Sequence, residues 1–260
     1  MPKSANDRRH FIVVGVLVAI CTVVLYWLLD AALPLPVQAS IEALTIDTLI
    51  GWHLWIIAFL FSLVVVFMIY AIVVFRRRDG DESEGEHFEG NTTLEILWTA
   101  IPLALVVIFS FYGISTLNEV TKAEDNEVVI KVVGRQWSWA FEYENGVQSA
   151  ELVLPVNRHI YMDMMTADVN HAFWIQEFRV KQDLLAGQQT HVRFTPTMTS
   201  EEYMASEGKQ FVLRCAELCG LQHHSMMAPV QVVPEDQYTA WLDEQMVQQN
   251  QAVAQNKDGN

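Results

Sequence analysis

Thiol, imidazole and thioether side chains crowd one short run near the C-terminal end, Arg214-Cys215-Ala216-Glu217-Leu218-Cys219-Gly220-Leu221-Gln222-His223-His224-Ser225-Met226-Met227. Their spacing is Cys-x3-Cys-x3-His-x2-Met. These are soft or borderline ligands, the set that favours copper over hard cations. Strand-like segments at 210–214 and 228–233 flank the run, so the ligands sit on a loop that a β scaffold can hold still. A mononuclear blue-copper site uses one Cys, two His and a weak axial Met. The extra thiol here calls for a second metal or for a disulfide, and one imidazole is missing from the loop.

An upstream segment, Asp168-Val169-Asn170-His171, stands just before strand-like Ala172-Phe173-Trp174-Ile175 and offers that imidazole. A lone His at a strand end is more often structural, but a Cys/Cys/His/Met loop in the same domain reverses that preference. His159, His191 and His224 lie in or beside strands without comparable context. Zinc could use two Cys and two His, yet has no use for Met. A Cys215–Cys219 disulfide would suit an oxidising compartment, but leaves the spacing of His223 and Met226 as coincidence.

The elements that must position these groups divide the chain. Over 260 residues the composition is 52% apolar while the net charge is −15, which indicates separate greasy and acidic parts. Three cysteines make no disulfide framework, and the acidic balance argues against a nucleic-acid partner and fits a cationic one. Apolar runs at 11–29, 48–75 and 94–112 are each long enough to span a bilayer, the last interrupted only by Glu95 and Pro102. Lys3, Arg8 and Arg9 before the first run, and Arg76-Arg77-Arg78 after the second, place the N-terminus and the 76–93 loop in the cytoplasm. Everything after residue 118 is then outside. Val37-Gln38-Ala39 before Ser40 also resembles a signal cleavage site, so the first run is a retained span or a signal sequence. Cys21 reads as a small apolar membrane residue, and the acidic segment 79–87 as a solvated loop.

From residue 127 the pattern changes to period two. Segments 127–133, 137–143, 151–155, 158–164, 172–176 and 190–195 read as strands of an all-β sandwich or barrel. Trp137, Trp139, Phe141 and Tyr143 alternate along one of them. The expected parts are 1–47 (tail, first span and linker), 48–117 (helical hairpin), 118–236 (β domain) and 237–260 (a short helix that frays).

These residues resemble cytochrome c oxidase subunit II. Cys215-Ala216-Glu217-Leu218-Cys219-Gly220 with His223 and Met226 is similar to that family's binuclear CuA loop, and Asp168–Trp174 to its first-histidine motif. Gly134-Arg135-Gln136-Trp137-Ser138-Trp139 is similar to its aromatic strand, and Thr93–Pro102 to the start of its second hairpin helix. The resemblance implies a cupredoxin-like Greek-key sandwich anchored by a two-helix hairpin plus one extra N-terminal span. It implies two coppers bridged by Cys215 and Cys219, with His171 and His223 binding one each, and Met226 and the Glu217 carbonyl as weak ligands. The family spacing selects His223 and Met226 over His224 and Met227. By the same resemblance Trp137 is where electrons from cytochrome c enter, and Glu95 lies at the mouth of a proton channel in subunit I. The Glu217 carboxylate reaches a Mg or Mn at the subunit boundary.

The implied protein passes electrons to haem in subunit I, for oxygen reduction coupled to proton translocation. Its implied partners are subunits I and III, cytochrome c and the lipid bilayer, in a bacterial plasma membrane with the β domain periplasmic. A metal-free quinol-oxidase scaffold and a free-standing membrane-tethered copper carrier are the other readings; the ligand set disfavours the first and the Glu95–Pro102 motif the second. Departures from the family pattern fall mainly in loops. Ser138 replaces a common aromatic, Ala186-Gly187-Gln188 stands where many members have Pro-Gly-Arg, and 198–209 is longer and lacks a Pro-Gly turn.

Overall fold

Three apolar stretches become helices because their residues can satisfy every backbone group internally: α1 (Ala5–Ala32), α2 (Ile41–Val74) and α3 (Thr92–Val120). The computed structural model describes residues 5–82, 84 and 89–258. Lys3 and part of the acidic loop, Ser83 and residues 85–87, lie outside the described residues. The chain divides into a helical unit (residues 1–35 and 47–114) and a second unit (36–46 and 115–260).

In the helical unit, α1 meets α2 through Val14, Val18 and Val66, flanked by Leu63 and Tyr70. Two polar–aromatic contacts fix that pairing: His10 Nδ1 lies 2.6 Å from the Tyr70 hydroxyl, and Tyr26 stacks on Trp55 with centroids 4.0 Å apart. His53 on α2 contacts Phe109 on α3 at 4.4 Å. Otherwise the helices are apolar all round, and none of α3 is buried among the described residues. Such helices need an apolar solvent. At about 1.5 Å per residue, even the shortest exceeds the ~30 Å hydrocarbon core of a bilayer. All three are membrane-spanning helices by length and composition.

The second unit is a sandwich of two five-stranded sheets. Its strands are β1 (Val128–Arg135), β2 (Ser138–Tyr143), β3 (Gln148–Ser149), β4 (Leu152–Pro155), β5 (Ile160–Thr166), β6 (His171–Ile175), β7 (Val180–Leu184), β8 (Thr190–Phe194), β9 (Phe211–Cys215) and β10 (Met227–Val233). One sheet has the order β3-β2-β1-β5-β8, the other β4-β10-β9-β6-β7. The pairs β1–β5 and β4–β10 are parallel, the rest antiparallel, giving the crossed connections of a cupredoxin-like fold. Inward positions alternate along β2 and β10, placing Trp139, Phe141 and Tyr143 opposite Ala228, Val230 and Val232 in one core. Each large side chain buried there contributes about 1.5–3 kcal/mol.

The structure departs from the sequence pattern in several places. The strand expected from Trp137 starts at Ser138, because Gln136 and Trp137 form the β1–β2 turn. β7 is an added edge strand. The longer segment at 198–209 holds helix α4 (Ser200–Glu207), closed by a Thr199–Glu202 capping box and by Gly208 at φ 65°. The C-terminal segment does not fray early: α5 (Glu235–Asp258) packs along β4, with Trp241 5.1 Å from Tyr143. Finally, α2 begins at Ile41, before the apolar run, because Ser40 caps it through the Ala43 N–H at 3.0 Å. Its first turn and the preceding linker belong to the sandwich. Ala39 donates to the Glu177 carbonyl and accepts from Thr197 N–H, and the Glu42 carboxylate accepts from Thr195 N–H at 2.9 Å.

Candidate metal centre

Register brings the separated ligands together. β6 and β9 are neighbours, with Phe173 opposite Cys215 and the Ala216 N–H donating to the Ala172 carbonyl. His171, two residues before Phe173, therefore shares its face and lies beside the end of β9. The loop that follows returns to β10, and the Cys215 N–H closes it on the Met226 carbonyl at 3.0 Å. A turn of 3-10 helix at His223–Ser225 then directs His223 back toward the thiols.

All the sequence-predicted ligand atoms converge. Cys215 Sγ lies 3.8 Å from Cys219 Sγ, 3.8 Å from His171 Nδ1 and 3.2 Å from the Glu217 carbonyl oxygen. Cys219 Sγ lies 3.5 Å from His223 Nδ1 and 3.7 Å from Met226 Sδ. Both thiols are free, and their separation is far beyond the ~2.05 Å of a disulfide bond. His171 and Met226 are fully buried, both cysteines nearly so, and His223 is half-buried. The neighbouring residues take other places: His224 is exposed, and Met227 Sδ accepts a contact from Arg214.

Electrostatics orient the first imidazole. Asp168 Oδ1 sits 2.9 Å from His171 Nε2. Partial desolvation would raise the Asp168 pKa, but the Gln136 N–H, His171 and the Val169 N–H outweigh it and hold the carboxyl down at about 2. An ionised carboxylate only accepts, so Nε2 carries the hydrogen and the Nδ1 lone pair faces the sulfurs. Burial, then the adjacent Cys215 thiol, pushes the Cys219 thiol up to about 11. A cation taking the proton's place removes that penalty, because metal binding and thiol deprotonation are linked. Two thiols, two imidazoles, a thioether and a carbonyl fit a copper centre, and hard cations disfavour the three sulfurs among these donors.

The remaining candidates occupy distinct settings. Trp137 is half-buried in the β1–β2 turn, its indole N–H 3.3 Å from the Cys219 carbonyl. The Glu217 side chain is half-buried. Glu95 lies in the first turn of α3, where its carboxylate accepts from the Asn91 N–H at 3.3 Å while Asn91 Oδ1 accepts from Leu94 N–H. Asn91 is the N-cap of that helix, and Glu95 reaches back to its N–H. Sequence reasoning passed over Gln136, whose side-chain amide donates to the Cys219 carbonyl at 2.7 Å. No spacing rule could have found it, since the partners are far apart in the chain.

Comparison with known proteins gives the family. Residues 28–115 match the family model described as cytochrome C oxidase subunit II, transmembrane domain, and residues 146–233 match the corresponding periplasmic domain. The chain is 30% identical to cytochrome c oxidase subunit 2 of Synechocystis sp. over 279 aligned positions, covering 89% of this chain and 80% of that protein. It is 28% identical to the Cereibacter sphaeroides subunit 2, with 80% and 78% covered. Among solved structures it is similar to the periplasmic domain of cytochrome oxidase subunit II from Bradyrhizobium japonicum, at 27% identity and a TM-score of 0.42, covering 50% of this chain and 98% of that one.

Proposed function

The chain belongs to the cytochrome c oxidase subunit II family, and from that premise we propose that it is the membrane-anchored subunit through which electrons enter a haem–copper oxidase. Such a subunit is part of an oxidoreductase complex, with three spans here and an extracytoplasmic sandwich. The observation that carries the proposal is the buried convergence of His171, Cys215 and Cys219, with His223 and Met226 beside them.

The residues that would hold a pair of coppers are Cys215 and Cys219 through their thiolates, His171 and His223 through their imidazoles, and Met226 and the Glu217 carbonyl as weaker donors. When bound, that group supplies reversible one-electron chemistry. The protein's own part is to hold the donors still. β6, β9 and β10 fix three sides of the site, and Asp168 fixes the ring of His171, so gain and loss of an electron need little rearrangement. Trp137 is the proposed way in: it is half-buried beside the cluster, and its indole N–H lies 3.3 Å from the Cys219 carbonyl. Cytochrome c is the proposed donor, and its cationic character suits a chain of net charge −15.

The proposed acceptor is haem in subunit I, with subunit III as a further neighbour in a bacterial plasma membrane. The Glu217 carboxylate is proposed to reach a Mg or Mn at the subunit I boundary, and Glu95 to lie at the mouth of a proton channel. The complete donor set favours this reading over a metal-free quinol-oxidase scaffold.

Rapid mixing tests it. The full-length chain, loaded with copper, is expected to be reduced by ferrocytochrome c, and Trp137→Phe to slow that step at unchanged copper content. A copper-loaded chain that takes no electron from ferrocytochrome c would contradict the proposal.

A further inference from the structure

Two hydrogen bonds converge on the Cys219 carbonyl, and they are unequal. The Gln136 carboxamide donates at 2.7 Å, whereas the Trp137 indole N–H approaches only to 3.3 Å. The shorter bond dominates the orientation of the 219–220 peptide, since a hydrogen bond weakens beyond about 3.2 Å. Gln136 is itself anchored from the other side. Its main-chain N–H donates to Asp168 Oδ2 at 2.7 Å, and Asp168 Oδ1 holds His171 Nε2. One residue thus stands between the loop that carries Cys219 and the carboxylate that orients His171.

The loop is built to receive it. Gly220 adopts φ +115°, and a Cβ there would lie 3.0 Å from Gln136 Nε2 and 3.4 Å from the Trp137 ring. A side chain there would be strained at this φ and would crowd the Gln136 carboxamide, so glycine leaves room for both donors to reach the peptide. Gly134, near the end of β1, is close to the other half: a Cβ there would meet Leu184 Cδ2 at 3.1 Å, His171 Cδ2 at 3.2 Å and Trp139 at 3.3 Å. The β1–β2 hairpin therefore borders both halves of the cluster.

We propose that Gln136 is a positioning residue, which sets the register of Cys219 against His171 by holding the Cys219 carbonyl with its side-chain amide. The assignment rests on the copper reading above. Gln136 touches none of the donor atoms; it acts through the peptide that carries Cys219 and through Asp168. Its role differs from that of Trp137, which contributes the longer, weaker bond and is proposed as the point of electron entry.

The test uses the full-length chain and Gln136→Met, which keeps the length of the side chain and removes the donor. Copper affinity, the electron paramagnetic resonance spectrum and the midpoint potential are read beside thermal stability without metal. Loss of a residue supporting a ligand lowers metal affinity about 10–100-fold. Gln136→Met is expected to show a loss in that range and an altered spectrum, with metal-free stability unchanged. Trp137→Phe is expected to keep the wild-type spectrum. Should Gln136→Met not accumulate, Gln136→Asn, which draws the amide back by one methylene, is expected to shift the spectrum in the same direction. A Gln136→Met chain, or failing that a Gln136→Asn chain, with wild-type copper affinity and spectrum overturns the assignment and leaves the copper reading intact. A wild-type chain that binds no copper defeats both.

Discussion

Phe111 on α3 and Phe211 on β9 are the same side chain in two solvents. Phe111 is 71% exposed, one of many apolar side chains facing outward along its helix, whereas Phe211 is fully buried between Phe178 and Tyr203. The helical unit shows its apolar residues on every side, and the sandwich hides them on one face of each sheet. In the first, hydrophobicity matches the helix to lipid and leaves little to drive helix against helix. In the second it drives folding and holds the ligand strands in register. A site that needs fixed geometry therefore sits in the unit whose core is close-packed.

That contrast can be broken most sharply at the metal centre. Cys219→Ser removes a thiolate from the buried cluster and is expected to abolish the binuclear copper spectrum while the helical unit still inserts. Copper content and membrane fractionation check this together. Next in size, Phe211→Ala is expected to destabilise the sandwich by about 3–5 kcal/mol, the usual cost of emptying a buried aromatic site. Denaturant unfolding of the metal-free chain, followed by tryptophan fluorescence, measures it.

A smaller effect comes from Glu127, at the start of β1. Desolvation would raise its pKa, but the Glu124 N–H and Arg193 overcome that and hold it below the ordinary value of 4.5. A carboxyl with a lowered folded pKa adds stability that is present above the unfolded value and lost as pH falls through the folded one. Sandwich stability is thus expected to decline as pH drops below 4.5, and Glu127→Gln to flatten that decline. Thermal melts at a series of pH values read the slope. The smallest effects sharpen the comparison from the other side. Phe111→Ala is expected to change stability by no more than about 0.5 kcal/mol, as for an exposed site, and His224→Ala to leave the copper spectrum as it was.

What could be read from residues alone follows the same divide. Spans are legible because length and the lack of charge suffice, and the Cys215–Met226 spacing is legible because its ligands lie close together in the chain. α4 and the full length of α5 carried signals that composition obscured: Thr199 and Glu202 form a capping box, and Tyr238, Trp241, Leu242 and Met246 recur at helical spacing beneath a Gln-rich surface. β7 was not legible. Its Lys181-Gln182-Asp183 centre is polar, as befits an edge strand, and it pairs only because β6 lies beside it. The early start of α2, capped by Ser40, is held against the sandwich by Glu42 meeting Thr195, and the hold on Cys219 depends on Gln136. Both contacts span long stretches of chain that no local pattern encodes.

Metal analysis and electron paramagnetic resonance of the purified full-length chain test the proposal that His171, Cys215, Cys219, His223 and Met226 together hold a copper pair. Two coppers per chain, with one unpaired electron shared equally between both nuclei, is the result expected. A metal-free chain whose Cys215 and Cys219 are joined in a disulfide, or a single copper with the hyperfine pattern of one nucleus, would contradict it.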